Sequence, residues 1–258
     1  MTQTQKRRMA RTGQYVLAAA VVLVVAGVAD WPTITENFLN AEIARGLFPD
    51  IITVALRNTI VYTVLAFAFG IVLGVVLALM RLSSVGPYRW FAAGYIELFR
   101  GLPAMLVLFM VGYGIPIAFP GREIPGGVYG QVALGLGIVS SAYIAETMRA
   151  GIQAVPKGQY EAARTLGMSH TRAMLSIVLP QAFRLVVPPL TNEVVMLTKD
   201  SSLVFVLGTT AITTELAKFA RDGLNSSANA TPLVVGGMLY LVITLPLSYL
   251  ARRLEHKS

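Results

Sequence analysis

Residues 157–180 read KGQYEAARTLGMSHTRAMLSIVLP, a run of small, charged and helix-forming residues set between two long apolar segments. A membrane protein needs only a short turn to join two spans. An amphipathic insert of this length at the membrane surface therefore predicts a docking element for a soluble partner. Ala162 and Ala163 let a helix approach a neighbour closely, Glu161 can face basic groups or cap a helix, and Gly167 permits a sharp turn after it. The alternative is an amphipathic helix lying on lipid.

Composition places the insert at a bilayer. Of 258 residues, 55% are hydrophobic and 13% charged, and the mean hydropathy is +0.65, outside the usual range of soluble domains. The net charge of +8 raises the question of nucleic acid, but the basic residues lie between apolar runs rather than along one exposed face, so no nucleic-acid partner is expected. The chain has no cysteine, and its histidines are His170 and His256; no metal site and no thiolate chemistry are expected. No Gly-x4-Gly-Lys-Ser/Thr loop occurs, so any ATP used must be bound by another chain.

Apolar segments able to cross a core of roughly 30 Å, which takes about 20 helical residues, read near 51–80, 90–118, 128–149, 176–198 and 231–251, with a shorter one over residues 15–29. The predicted fold is an all-α membrane protein with six transmembrane helices. Residues 1–50 hold an N-terminal tail, the first helix and an outer linker; residues 51–258 form the main transmembrane domain, with the insert at about 155–180. Lys6, Arg7, Arg8, Arg11, Arg81, Arg89, Arg149, Lys157, Arg164, Arg172, Arg252, Arg253 and Lys257 then fall on one side. The positive-inside bias puts both termini and the insert in the cytoplasm. Lys6 to Arg11 followed by a short apolar core also fits a cleaved signal peptide; a retained helix is the reading adopted. Thr214–Arg221 reads as a surface helix followed by the polar run Asn225–Asn229. Gly101 and Pro103, Gly112, Gly114 and Pro116, and Pro188-Pro189 interrupt helices. Such breaks are tolerated in lipid mainly where they face protein or a cavity.

Glu161-Ala162-Ala163, three residues, Gly167, nine residues, Ile177, one residue and Leu179-Pro180 match the EAA loop of ABC importer permeases at every anchor. The chain also resembles the polar amino-acid branch of that family at Asn58-Thr59, at Glu97–Pro103, at Glu146–Gly151, at Gly158-Gln159 and at Lys199–Leu203. This resemblance implies a five-helix type I importer core plus one N-terminal helix, in a prokaryotic cell membrane. It implies two paired permease subunits, identical or related, and a cytoplasmic ATPase dimer that grips the EAA loops and carries the ATP and magnesium. It also implies an extracytoplasmic solute-binding protein that delivers an amino acid. The chain itself is then a transport subunit with no catalytic residue and no cofactor of its own, moved as a rigid body when ATP closes its partner. A membrane enzyme or an ATP-independent carrier are the alternatives from other classes, and a permease for another small polar solute is the alternative within this one.

Ionisable residues at membrane depth are functional candidates. Glu97 and Arg100 are spaced i to i+3 and predict an ion pair with a structural or gating role, and Glu146 and Arg149 repeat the spacing. Glu193 sits about 20 Å along its helix from Leu179, and Asp200 follows two turns later on nearly the same face. An amino acid in transit needs acceptors for its ammonium, which Glu193 and Asp200 can supply, and donors for its carboxylate, for which Asn192, Lys199, Ser201, Ser202 or broken-helix amides qualify. Two acids favour arginine, lysine, histidine or ornithine; Lys199 neutralising Asp200 leaves glutamine or another polar amino acid.

Overall fold

The computed structural model describes residues 3–255, with side chains for Arg7 and residues 11–254. His256, Lys257 and the side chains of Lys6 and Arg8 lie outside the described residues. Every regular element among them is helical: α1 (Gln3–Val28), α2 (Trp31–Phe38), α3 (Ala41–Gly46), α4 (Ile51–Leu82), α5 (Gly86–Gly101), α6 (Ala104–Ala118), α7 (Val128–Ala154), α8 (Lys157–Thr165), α9 (His170–Leu207), α10 (Leu216–Ser227) and α11 (Thr231–Glu255). Five are long and apolar enough to cross a membrane, and α5 with α6 makes a sixth as a pair bent by 105°. This is the six-span, all-α architecture expected. α1 is exposed along nearly all of its described length.

The centre is the crossing of α4 with α7. Gly70 and Gly74 lie one turn apart on α4, and a Cβ at Gly74 would come within 2.7 Å of Ile144 Cγ2 and 3.0 Å of the Ser141 carbonyl. Association in lipid rests on such close backbone approach, because apolar surface gains little by leaving lipid for protein. Toward the Ile51 end of α4, Tyr62, Ala66, Leu108, Val132, Leu136, Leu197 and Val204 pack α4, α6, α7 and α9 together. Toward its Leu82 end, Leu77 and Ala78 of α4 meet Ala92 and Ile96 of α5 and Ala145 of α7.

The breaks follow the expectation at Gly101 and Pro103 and depart from it at Pro188-Pro189. α9 runs helically through Pro188 and Pro189 without interruption. The sharp break sits at Leu102-Pro103, both in extended conformation. Proline disfavours helical backbone in the residue before it and has no N–H to give, and the new helix starts on the Pro103 carbonyl, which accepts from Leu106 N at 2.9 Å. Residues 31–50, expected as a linker, instead form two short helices clipped to the start of α11. Asn229 Nδ2 donates to the Glu36 carbonyl at 2.8 Å, and Asn40 N donates to Thr231 Oγ1 at 3.0 Å. The expected surface helix begins at Leu216, two residues late, and takes Asn225–Ser227 into its last turns.

Asn58 and Thr59 account for that start. Asn58 Nδ2 donates to the carbonyls of Ile212 and Thr214, both at 2.9 Å, Tyr62 Oη donates to that of Thr213 at 2.6 Å, and Leu216 N donates to Thr59 Oγ1 at 3.1 Å. Glu215 caps α10, accepting from Ala217 N and Lys218 N at 2.5 and 2.7 Å, and from Tyr240 Oη at 3.3 Å. A buried loop needs every backbone group partnered, and these side chains do that work.

Gly74→Val forces a branched side chain onto Ile144, so the purified protein should lose about 1–3 kcal/mol of stability, read as a lower unfolding midpoint in detergent. Gly94→Ala, with nothing within 4 Å of the added carbon, should leave the midpoint unchanged. Burial pushes the Glu215 carboxyl from 4.5 up to about 7, against the two amides, Tyr240 and Arg221, which pull it down. An acid raised on folding contributes stability that is complete below pH 4.5 and is lost as pH rises toward about 7. The melting temperature should fall across that window in the wild type and run flatter in Glu215→Gln.

Candidate functional site: a coupling hairpin and an acidic cavity

Two features stand at opposite ends of the same helices. The first is the hairpin between α7 and α9. Helix α8 ends at Leu166, and Gly167 follows with φ +83°. Met168 N donates to the Ala163 carbonyl at 3.1 Å and Gly167 N to that of Arg164 at 3.0 Å. This pair of bonds is a Schellman stop, which calls for a residue at positive φ. Ser169 then caps α9 by accepting from Arg172 N at 3.3 Å. The hairpin closes at Tyr160, whose Oη lies 2.7 Å from His170 Nδ1. Tyr160 also packs on Val155, Val178 and Ala182, tying α8 to the adjoining ends of both neighbours.

Among the sequence-predicted coupling residues, Ala163 is buried, Ile177 half-buried, and Glu161, Ala162, Gly167, Leu179 and Pro180 are exposed. Leu166 and Leu175 are 84% and 59% exposed. The hairpin therefore presents small residues, one acid, the bases Lys157, Arg164 and Arg172 and two bare leucines on a firmly braced stalk. A groove lined by Gln153, Tyr160, Glu161 and His170 runs beside it.

The second feature is a cavity of about 220 Å³ where α5, α6, α7 and α9 meet. Its wall is made by Leu102, Pro103 and Ala104 at the α5–α6 break, Leu136, Val139, Ser140 and Tyr143 of α7, and Glu193, Met196, Leu197 and Asp200 of α9. The two carboxylates lie seven residues apart, about 10 Å along the helix, and reach the same space. No basic side chain lines it. It is smaller than the roughly 300–1,000 Å³ of drug-sized sites, which suits a single small solute.

The other residues of the predicted track lie elsewhere. Asn192 and Lys199 precede the two acids by one residue each and are turned about 100° away, exposed on another face. Ser201 is fully buried with Oγ donating to the Thr198 carbonyl at 2.7 Å, and Ser202 is half-buried outside the lining. No ion pair joins Lys199 to Asp200 among the described residues.

The two predicted ion pairs part company. Glu146 and Arg149 form theirs, with Nη2 and Nε donating to the two carboxylate oxygens at 2.5 and 2.9 Å, and Arg149 Nη1 also donates to Gln153 Oε1 at 2.5 Å. Glu97 and Arg100 do not pair. Arg100 ends its helix and turns instead over the ring of Tyr143, 5.6 Å from the centroid, while Tyr143 Oη donates to the Arg100 carbonyl at 3.4 Å. Tyr143 and Ser140 escaped the sequence reading, although Tyr143 stands one turn before Glu146 on the same helix. No group of histidines and acids able to hold a metal occurs among the described residues.

The chain is similar to known proteins. Residues 70–258 match the family model described as the binding-protein-dependent transport system inner membrane component. The probable glutamine ABC transporter permease protein GlnM of Bacillus subtilis is 40% identical over 204 residues, 77% of this chain and 90% of that one. The arginine transport system permease protein ArtQ of the same organism is 36% identical over 202 residues, 78% of this chain and 90% of that one. A crystal structure of an amino acid ABC transporter with histidines superposes with a TM-score of 0.74 at 36% identity, covering 83% of this chain and 97% of that one. With the family model reaching from the middle of α4 through the hairpin to the last residue, this chain belongs to the binding-protein-dependent transport inner membrane components, as a permease subunit of an amino-acid ABC importer.

Proposed function

We propose that this permease carries cationic amino acids slightly ahead of glutamine and other polar ones, through the cavity between α7 and α9. One observation carries the reading: Glu193 and Asp200 share that cavity, and nothing basic lines it. Acids are costly at membrane depth and are kept where a cavity or a pathway uses them. The ammonium of any amino acid suits one carboxylate, and a cationic side chain suits the second. The names of the relatives span arginine, glutamine, cystine and glutamate with aspartate, so the preference for a base rests on the two acids alone.

The exposed hairpin is the handle for a cytoplasmic ATPase dimer, which binds the ATP and magnesium; Glu161, Ala162, Gly167 and Leu166 form its outer surface. A second permease, identical or related, covers the face of α9 that shows Asn192, Met196 and Lys199, since a lysine facing lipid at that depth is unfavourable. An extracytoplasmic binding protein delivers the cargo at the opposite side. The protein sits in the cell membrane with both termini and the hairpin cytoplasmic, in line with the charge bias of the loops. Glu146, Arg149 and Gln153 lie between cavity and hairpin and act as a gate.

ATP-dependent uptake in proteoliposomes, measured over a panel of amino acids, tests the cavity. A charged hydrogen bond contributes about 1.5–3 kcal/mol, so Glu193→Gln or Asp200→Asn should weaken apparent affinity for cationic amino acids roughly ten- to hundredfold and glutamine less. Unchanged selectivity and affinity in both variants would remove the acidic site. Copurification tests the handle. The ATPase should accompany the wild-type chain and be lost with Glu161→Arg or Gly167→Pro; an ATPase that stays bound to both variants would place its contact elsewhere.

A further inference from the structure

We infer that Tyr143 and Arg100 form the inner barrier of the cavity, with the tyrosine ring as its floor and the guanidinium as a positive charge behind that floor. The inference rests on the reading of the cavity as the cargo route. Its starting point is the order of groups along α7. Ser140 and Tyr143 line the cavity, Glu146, Arg149 and Gln153 follow at three- and four-residue steps on the same stripe, and Gln153 lines the groove beside the hairpin. A polar route therefore leads from the acids toward the cytoplasm, and Tyr143 stands where it leaves the cavity.

Arg100 comes to Tyr143 from the inner side. It ends α5, whose Ala92 and Ile96 pack near Ala145 and Met148, beyond Tyr143 in the direction of the hairpin. Arg100 is absent from the cavity wall, whereas its neighbours Leu102 and Pro103 are part of it. The guanidinium thus lies behind the ring rather than among the acids. A cation over an aromatic face is attracted by the ring quadrupole, and the hydroxyl of the same ring donates to the Arg100 carbonyl at 3.4 Å. Two contacts from one side chain pin α7 to the α5–α6 break.

The break is where the backbone leaves the helix. Gly101 precedes it, nothing lies within 4 Å of where a Cβ on Gly101 would stand, and the two helices meet at 105°. A shift of the end of α5 carries Arg100 off the ring and opens the floor. Until then a cationic solute held by Glu193 and Asp200 faces a like charge across one ring, while a neutral solute meets only the steric block. Tyr143 is thereby a positioning residue for the seal, and Arg100 sets its charge preference.

The test is passive leak of radiolabelled arginine and of glutamine from proteoliposomes holding the assembled transporter without nucleotide. Tyr143→Ala should raise the leak of both amino acids about tenfold or more over wild type, and Tyr143→Phe, which keeps the ring, far less. Arg100→Gln should raise the leak of arginine and leave that of glutamine near the wild-type level, and Arg100→Lys should restore the seal against arginine. A wild-type arginine leak in Arg100→Gln, or equal rises for both amino acids, overturns the charge barrier. Arg100 is exposed, so this arm stays decisive even where Tyr143→Ala fails to assemble. Uptake selectivity in Glu193→Gln reports on the cavity separately: leak altered by Arg100→Gln with selectivity untouched by Glu193→Gln would sink the acidic site and leave the barrier standing.

Discussion

The contact of Gly70 and Gly74 with Ser140, Ser141 and Ile144 is the interaction on which the rest of the molecule depends. In lipid, two helices gain little by burying apolar surface, and the attraction that remains is dispersion at short range. Glycine brings the α4 backbone within side-chain reach of α7 and so fixes the rotation and height of α7. Ser140 sits in that seam and also lines the cavity. Its neighbour Tyr143 faces the cavity because Ile144 faces α4. The position of the site follows from the packing of the core.

Rigid connection of the two features is the second consequence. The hairpin is carried by α7 and α9, and those same helices supply Tyr143 on one wall and Glu193 and Asp200 on the other. No break interrupts α7 between Tyr143 and Ala154, and α9 is helical from His170 to Leu207, its short π and 3-10 stretches included. A force on α8 enters both walls through the cluster of Val155, Tyr160, Val178 and Ala182. The Schellman stop at Gly167 keeps the hairpin from dissipating that force as local unwinding, since the carbonyls at the end of α8 already have partners.

Much of this was legible in the residues. The spans read near 51–80, 128–149 and 231–251 fall within a few residues of α4, α7 and α11, because a run of apolar residues long enough for the bilayer has no soluble alternative. The EAA spacing marked the hairpin through anchors with a local task there: Ala163 is buried, Gly167 stops the helix, and Leu179-Pro180 start the next α-helical stretch. Orientation about the helix axis was much less legible. The i to i+7 spacing put Glu193 with Asp200, and equally Asn192 with Lys199, and nothing local to α9 says which pair faces inward. The Glu97–Arg100 pair failed for a related reason: Arg100 lies in the last turn before Pro103, where its side chain is free to turn toward a ring more than forty residues away in sequence. Proline pairs misled as well. Pro188-Pro189 read as a break like Gly101 and Pro103, yet α9 is packed against α4 and α7 there, with Val186, Pro188 and Leu190 buried, and tertiary packing overrides the local cost of proline.

The two proline sites differ in what the backbone does there. α9 keeps its helix through Pro188 and Pro189, whereas the third span breaks at Leu102-Pro103. Irregular backbone survives at membrane depth only against protein or a cavity, and here it meets both, since Leu102 and Pro103 form part of the cavity wall while the Arg100 carbonyl accepts from Tyr143. The break thus lies beside the cavity, and a tyrosine on the helix that leads to the hairpin bonds the carbonyl just before it. On the proposed reading of the cavity, a displaced hairpin moves α7 against this break, and the floor opens where Tyr143 leaves Arg100.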